Sequence, residues 1–203
     1  MITLLNYGLG NVEAFVNIYK RMNIPVAVAE TADQLAGAEK IILPGVGAFD
    51  WAMTRLDESG MRTCLDDLVM VKKKPVLGVC VGMQMMARRS DEGELPGLGW
   101  IDAEVKRFDE TRFRQQTHLP HMGWNDVSPR DVECLFKGIT APRFYFLHSY
   151  YFVPANQDDV LAMTDYNCSY ASAVRSGKVF GTQFHPEKSH QWGIQLLKNF
   201  AQL

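Results

Sequence analysis

Apolar runs and helical stripes alternate along the first half of the chain. Residues 2–5 are a short apolar run that ends before Gly8 and Gly10. Val12, Phe15, Val16, Tyr19 and Met22 then recur at helical spacing, with Asn11 placed to cap a helix over about 12–22. Pro25 to Ala29 predicts a second strand, and Lys40 to Leu43 a third, stopped by Pro44 and Gly45. Residues 49–58 and 61–72 carry helical patterns, Val76 to Val79 reads as a fourth strand, and Gly82 to Arg89 as a helix. Strands alternating with helices predict an α/β fold, with a mostly parallel sheet covered on both faces.

The pattern changes between about 100 and 184, where apolar runs shorten and turn residues multiply. Asp102 to Phe108, Phe144 to Phe152, Val160 to Thr164, Tyr170 to Val174 and Val179 to Phe184 predict strands, with Ser176-Gly177 as a hairpin turn. Trp192, Leu196, Leu197 and Phe200 then mark a last helix over about 190–201. No repeat or linker divides the chain. The expectation is one domain over residues 1–203, a parallel core with an antiparallel extension.

Composition narrows the function classes. The chain has 203 residues, long enough for a sizeable core, and a net charge of −2, which gives no global attraction to nucleic acid or to an anionic membrane. No run approaches the roughly 18 apolar residues of a membrane span. The start lacks a basic leader and reads as a strand. Cys64, Cys80, Cys134 and Cys168 are widely spaced, with no Cys-x-x-Cys pair, so neither a zinc site nor a disulfide framework is expected. Lys72-Lys73-Lys74 reads as a solvated helix end, and the early glycines lack the full phosphate-binding fingerprint. A cytoplasmic protein without metal or cofactor is the simplest expectation.

The candidate chemistry centres on Cys80, in Gly78-Val79-Cys80-Val81-Gly82. A free cysteine after a buried strand is ordinarily a core residue. Here glycines two residues away on either side allow a strand to turn sharply into a helix, the geometry of a nucleophile elbow. The helix start would favour a thiolate. The N–H of Val81 is one candidate oxyanion donor. Another would come from Pro44-Gly45-Val46-Gly47, which also reads as an ordinary β–α turn. His185 follows a predicted strand, and Pro186 holds it extended, so Glu187 faces the same way and can orient the imidazole. Gln84, one helical turn beyond Cys80, reads equally as a substrate contact and as a solvated helix position.

These residues resemble the class I, triad-type glutamine amidotransferases. Asn6-Tyr7-Gly8-Leu9-Gly10-Asn11, Leu43 to Gly47, Pro120-His121-Met122-Gly123-Trp124-Asn125, Phe146-Leu147-His148-Ser149-Tyr150 and His185 to Ser189 extend the match over most of the chain. They are most similar to the glutaminase subunits of imidazole glycerol phosphate synthase. The resemblance implies hydrolysis of L-glutamine through a thioester on Cys80, with His185 as acid and base and Glu187 as its orienter. It implies oxyanion roles for Val46, Gly47 and Val81, and a substrate pocket at Gly45, Gln84, His148, Ser149 and Tyr150. It also implies a separate (β/α)8-barrel cyclase subunit as heterodimer partner, with Met122, Trp124, Asn125, Tyr145 and Lys188 near the partner surface or the ammonia passage. Taken alone, Trp124 reads as a core residue and Lys188 as a solvated one. Asn6 stands where family members often carry aspartate, and Val81 where leucine is usual.

Three other readings share these residues. A paralogous subunit would feed ammonia to a surface-polysaccharide sugar amidotransferase. A cysteine peptidase or deglycase would use a similar elbow. A regulatory subunit would keep the fold without the chemistry.

Overall fold

A computed structural model describes residues 1–113 and 118–203. The first half runs β1 (Ile2–Leu5), α1 (Val12–Arg21), β2 (Val26–Ala29), α2 (Ala32–Leu35), β3 (Lys40–Gly45), α3 (Phe49–Glu58), α4 (Arg62–Asp66) continued by a π-helical turn at Asp67–Val71, β4 (Val76–Cys80) and α5 (Val81–Gln84). The second runs β5 (Arg89–Ser90), β6 (Ala103–Arg107), β7 (His121–Asp126), β8 (Ser128–Pro129), β9 (Arg143–His148), β10 (Tyr150–Pro154), β11 (Val160–Asp165), β12 (Ser169–Ser176), β13 (Val179–Thr182) and α6 (His190–Gln202).

The main sheet has the order β2-β1-β3-β4-β13-β12-β10-β6-β5. Its first five strands are parallel, and β12 and β10 turn the sheet antiparallel. This is the expected parallel core with its extension. Every residue of β4 is buried, as a strand covered on both faces requires. Asn11 caps α1 as expected, its Oδ1 accepting from the Ala14 amide at 3.2 Å. Tyr19 on α1 donates to the Leu197 carbonyl of α6, tying the two helices together.

The structure departs from the sequence pattern at several places. Strand β3 does not stop at Pro44; it continues to Gly45, which pairs with Cys80. Pairing of β1 with β3 ends at Ile42, so β1 makes no demand for the N–H that proline lacks. The helix after Cys80 is a single turn, not a run to Arg89. The carbonyls of Met85, Met86, Ala87 and Arg88 accept from the amides of Leu98, Ile101, Gly99 and Gly97, which removes them from helical bonding. The run 144–152 is two strands, divided at Ser149 where the chain passes between sheets. One of them, β9, pairs in a separate two-stranded sheet with β7, a strand that the apolar pattern does not reveal.

Close backbone contact holds β3, β4 and α5 together. A Cβ on Gly82 would fall on the Leu43 carbonyl oxygen, and one on Gly45 would fall on the Gly82 amide nitrogen. Gly47 differs: its φ is +85°, and a methyl group there would meet open space. Gly82→Ala should therefore cost about 3 kcal/mol, and Gly47→Ala only roughly 1 to 2 kcal/mol of left-handed strain. Urea unfolding of the two variants against wild type checks this order.

Candidate active site

Three adjacent parallel strands end together. Gly45 of β3 pairs with Cys80 of β4, and Thr182 of β13 pairs with Val79. The segments leaving these strands, Val46-Gly47, Val81 onward and Gln183 to His185, are thus delivered to one edge of the sheet. In parallel α/β sheets this carboxyl edge is where ligands bind. Cys80 sits there at φ 55°, ψ −113°, a conformation that costs a non-glycine residue and persists only where the surroundings impose it. The elbow predicted from Gly78 and Gly82 is present. Only one turn of helix stands behind it, and the Cys80 side chain makes no cap hydrogen bond to that turn.

His185 and Glu187 meet as expected but by a different backbone: His185 is extended, and Pro186–Lys188 form a 3-10 turn that carries Glu187 to the imidazole. The imidazole Nδ1 donates to Glu187 Oε1 at 2.8 Å, and both side chains are almost fully buried. Burial lowers the pKa of His185. Hydrogen bonding to Cys80 and Glu187, and the negative charge of both, outweigh burial and push it up to about 10. Among the described residues nothing donates to Glu187 Oε2, so its hydrogen bonding is spent on the histidine. Ser189 fixes the His185 backbone: its Oγ donates to the His185 carbonyl at 2.6 Å and accepts from the Tyr145 amide at 3.0 Å.

Cys80 and His185 share a cavity of about 150 Å3 with Val46, Gly47, Val81, Gln84, Leu147, His148, Ser149, Tyr150 and Lys188. Gly45 lies alongside, paired to Cys80. The Cys80 sulfur lies 3.9 Å from the Leu147 carbonyl oxygen. Gln84 is buried, not solvated, and its Nε2 donates to the Tyr150 carbonyl at 3.2 Å and to Gln183 Oε1 at 3.0 Å. The amide nitrogen of Gln84 is therefore committed within the protein. The His148 ring is likewise occupied, its Nδ1 donating to the Tyr150 carbonyl at 2.7 Å. Burial, then the neighbouring His121 and His185, hold His148 down to about 3 against that bond. Tyr7 donates to the Pro44 carbonyl at 2.7 Å and so braces the start of the Gly45–Gly47 turn.

One wall of the cavity is invisible to sequence reasoning. Glu92 lines it, half-buried, with Oε2 accepting from the Phe49 amide at 3.0 Å and its pKa raised chiefly by burial. No motif marks Glu92; it lies in a loop tied down by Asp50, which accepts from the Glu94 and Leu95 amides.

The residues assigned to a partner surface separate into two groups. In the two-stranded sheet Met122 pairs with Leu147, and Trp124 with Tyr145, so these four share one face. Met122 is 65% exposed, Trp124 37% and Leu147 38%, which leaves Trp124 outside the core. Lys188 Nζ lies 5.8 Å from the centre of the Tyr145 ring, and Trp124 stacks on His190. Asn125 is not part of this surface. It projects from the other face of β7, where its Nδ2 donates to the Asp165 carbonyl at 2.8 Å. Leu147 belongs to the exposed face, and its place within an otherwise apolar run conceals this in the sequence.

Among the described residues there is no His, Cys, Asp and Glu cluster able to hold a metal ion, and no helix long and apolar enough to cross a membrane. The model of the glutamine amidotransferase class-I family matches residues 3–203. Curated relatives named imidazole glycerol phosphate synthase subunit HisH are 57% identical in Bdellovibrio bacteriovorus and 50% in Leptospira interrogans, each over 100% of both chains. One named HisH 2, from Pseudomonas aeruginosa, is 48% identical over the same extent. Among solved structures, a glutamine amidotransferase superimposes with TM-score 0.76 at 21% identity, covering 100% of this chain and 99% of that one. PurLQS from Thermotoga maritima gives 0.70 at 16%, covering 99% and 96%. The chain belongs to the class-I glutamine amidotransferase family, among the HisH subunits of imidazole glycerol phosphate synthase.

Proposed function

We propose that the chain hydrolyses L-glutamine with Cys80, His185 and Glu187, and passes the ammonia to a separate barrel-shaped cyclase subunit that makes imidazole glycerol phosphate. The observation that carries this reading is the meeting of a strained, cavity-facing cysteine with a buried His185–Glu187 pair at 2.8 Å.

The Cys80 sulfur attacks the side-chain amide carbon, and the carbonyl oxygen takes up the negative charge. Val81 and the Val46–Gly47 turn stand beside the nucleophile as its donors. His185, protonated, gives its proton to the departing nitrogen, and ammonia leaves a γ-glutamyl thioester. Neutral His185 then takes a proton from water, which attacks the thioester; glutamate departs and the thiol is restored. Glutamine and water thus become glutamate and ammonia. Glu92 places an anion in the cavity for the substrate's α-ammonium group, and the strand from Leu147 to Tyr150 supplies its backbone wall. The face formed by Met122, Trp124, Tyr145 and Leu147, with Lys188 at its edge, is the docking surface, since solvent-exposed aromatic and Met groups of this kind favour partner contact.

A second reading concerns only where the ammonia goes. The relatives from Pseudomonas aeruginosa and Methanococcus maripaludis are both named HisH 2, a numbering that fits more than one such subunit per organism. A paralogue serving a surface-polysaccharide sugar amidotransferase would have the same triad. Glutaminase assays with each candidate partner distinguish the two: the cognate one stimulates hydrolysis and consumes the ammonia.

Two outcomes follow from the triad. Cys80→Ala should reduce partner-stimulated glutaminase activity by about 10³-fold or more while leaving partner binding intact, and Glu187→Gln should reduce it on the order of 10² to 10⁴-fold. Retained turnover in a clean C80A preparation removes Cys80 from the mechanism. An anion beside an imidazole favours its charged form, so removing either anion must lower the His185 pKa from about 10. Imidazole NMR titrations of C80A and E187Q should each show this downward shift, and an unchanged value would contradict the pairing.

A further inference from the structure

Opposite faces of β7 present different chemistry. Met122 and Trp124 look outward, while His121 and Asn125 point into a buried cluster with His148 and Tyr170 that takes no part in the reaction described above. The partners in this cluster set the tautomer of each ring. His148 Nδ1 faces the Tyr150 carbonyl at 2.7 Å, so it must carry the proton, which makes His148 Nε2 an acceptor. His121 Nδ1 lies 3.1 Å from that Nε2 and must donate to it. His121 Nε2 is then an acceptor, and Asn125 Nδ2 donates to it at 3.2 Å while its second proton goes to the Asp165 carbonyl. The Tyr170 hydroxyl, 3.1 Å from both His121 Nδ1 and His148 Nε2, fits between them without reversing the order. Burial holds His121 down to about 4, in keeping with two neutral rings.

The chain of bonds does not stop at Tyr150. Its carbonyl also accepts from Gln84 Nε2 at 3.2 Å, Gln84 donates its other proton to Gln183 Oε1 at 3.0 Å, and Gln183 Nε2 donates to Cys80 Sγ at 3.8 Å. A continuous polar path therefore runs from the strand bearing the exposed apolar face to the sulfur.

We propose that His121 is a positioning residue for glutamine hydrolysis: with Asn125 and His148 it holds the Tyr150 carbonyl, and through Gln84 and Gln183 the Cys80 sulfur, in the geometry of attack. The inference rests on the reading of Cys80 as the nucleophile. It differs from a packing role in what it asks of the side chain. The His121 ring stacks on Phe146 at 4.6 Å and on Tyr166 at 3.9 Å, contacts that any flat ring of similar size would make. The link from His121 to His148 needs the Nδ1–H, whether direct or through the Tyr170 hydroxyl, which also lies 3.1 Å from His148 Nε2.

Two substitutions separate these roles. His121→Phe keeps the ring and loses the donor; His121→Asn keeps a donor near the Nδ1 position and loses the ring. With the cognate cyclase subunit present, H121F should lower kcat for glutamine about ten- to a hundredfold, the scale of a small misplacement at a reacting centre. Its melting temperature should stay near that of wild type. H121N should recover most of kcat despite a lower melting temperature. The opposite order, or H121F within about threefold of wild type, overturns the proposal. Should either variant fail to fold, nitrogen-15 NMR of the wild-type rings decides: both histidines neutral with the proton on Nδ1 is the expected result, and a proton on Nε2 of either ring overturns it. Wild-type protein that hydrolyses no glutamine with its partner would instead overturn the functional reading, an outcome distinct from any of these.

Discussion

Everything at the site depends on how closely the β3 backbone approaches the first turn of α5. Leu43 and Gly82 leave no room for a methyl group between them, and Gly45 meets the Gly82 amide just as tightly. With the chain pinned on both sides of Cys80, the residue between has no ordinary conformation open to it and takes φ 55°. The strain is a consequence of packing, and packing maintains it. The same approach brings the end of β3 beside the sulfur, so the turn at Val46-Gly47 and the nucleophile are positioned by one contact.

The electrostatics show how little residue type alone decides. His121, His148 and His185 are all buried, yet the first two are held low and the third is raised. Desolvation acts on all three in the same direction. Only His185 has anions within reach, Cys80 and Glu187, and they reverse the outcome. A buried imidazole is thus a neutral strut in one place and a proton carrier in another, depending on a neighbour two residues away in sequence and another a hundred residues away.

The parallel core is legible because its strands are continuous apolar runs, and the elbow because Gly78 and Gly82 bracket Cys80. The triad is legible because His185 and Glu187 flank Pro186, although the structure joins them through a 3-10 turn at Pro186–Lys188 and not along an extended chain. Strand β7 is hidden: its inward positions are His121, Gly123 and Asn125, polar or featureless residues of which only His121 is buried, and the distant groups that hold His121 and Asn125, His148 and the Asp165 carbonyl, leave no local trace. The shortened α5 is hidden for a related reason, since the carbonyls that follow it are claimed by amides at 97–101 that no local pattern reveals. Glu92 and Leu147 gain their places from the loop and sheet that carry them. In each case the missing information is a tertiary partner, which periodicity does not encode.

Leu147 carries a consequence of its own. Its side chain lies on the outer apolar face opposite Met122, and its carbonyl oxygen lies 3.9 Å from the Cys80 sulfur. Outside and inside are here separated by the thickness of one residue. A body seated on that face would press on the same peptide that touches the nucleophile, so a signal would have no fold to cross, only a single amino acid to tilt.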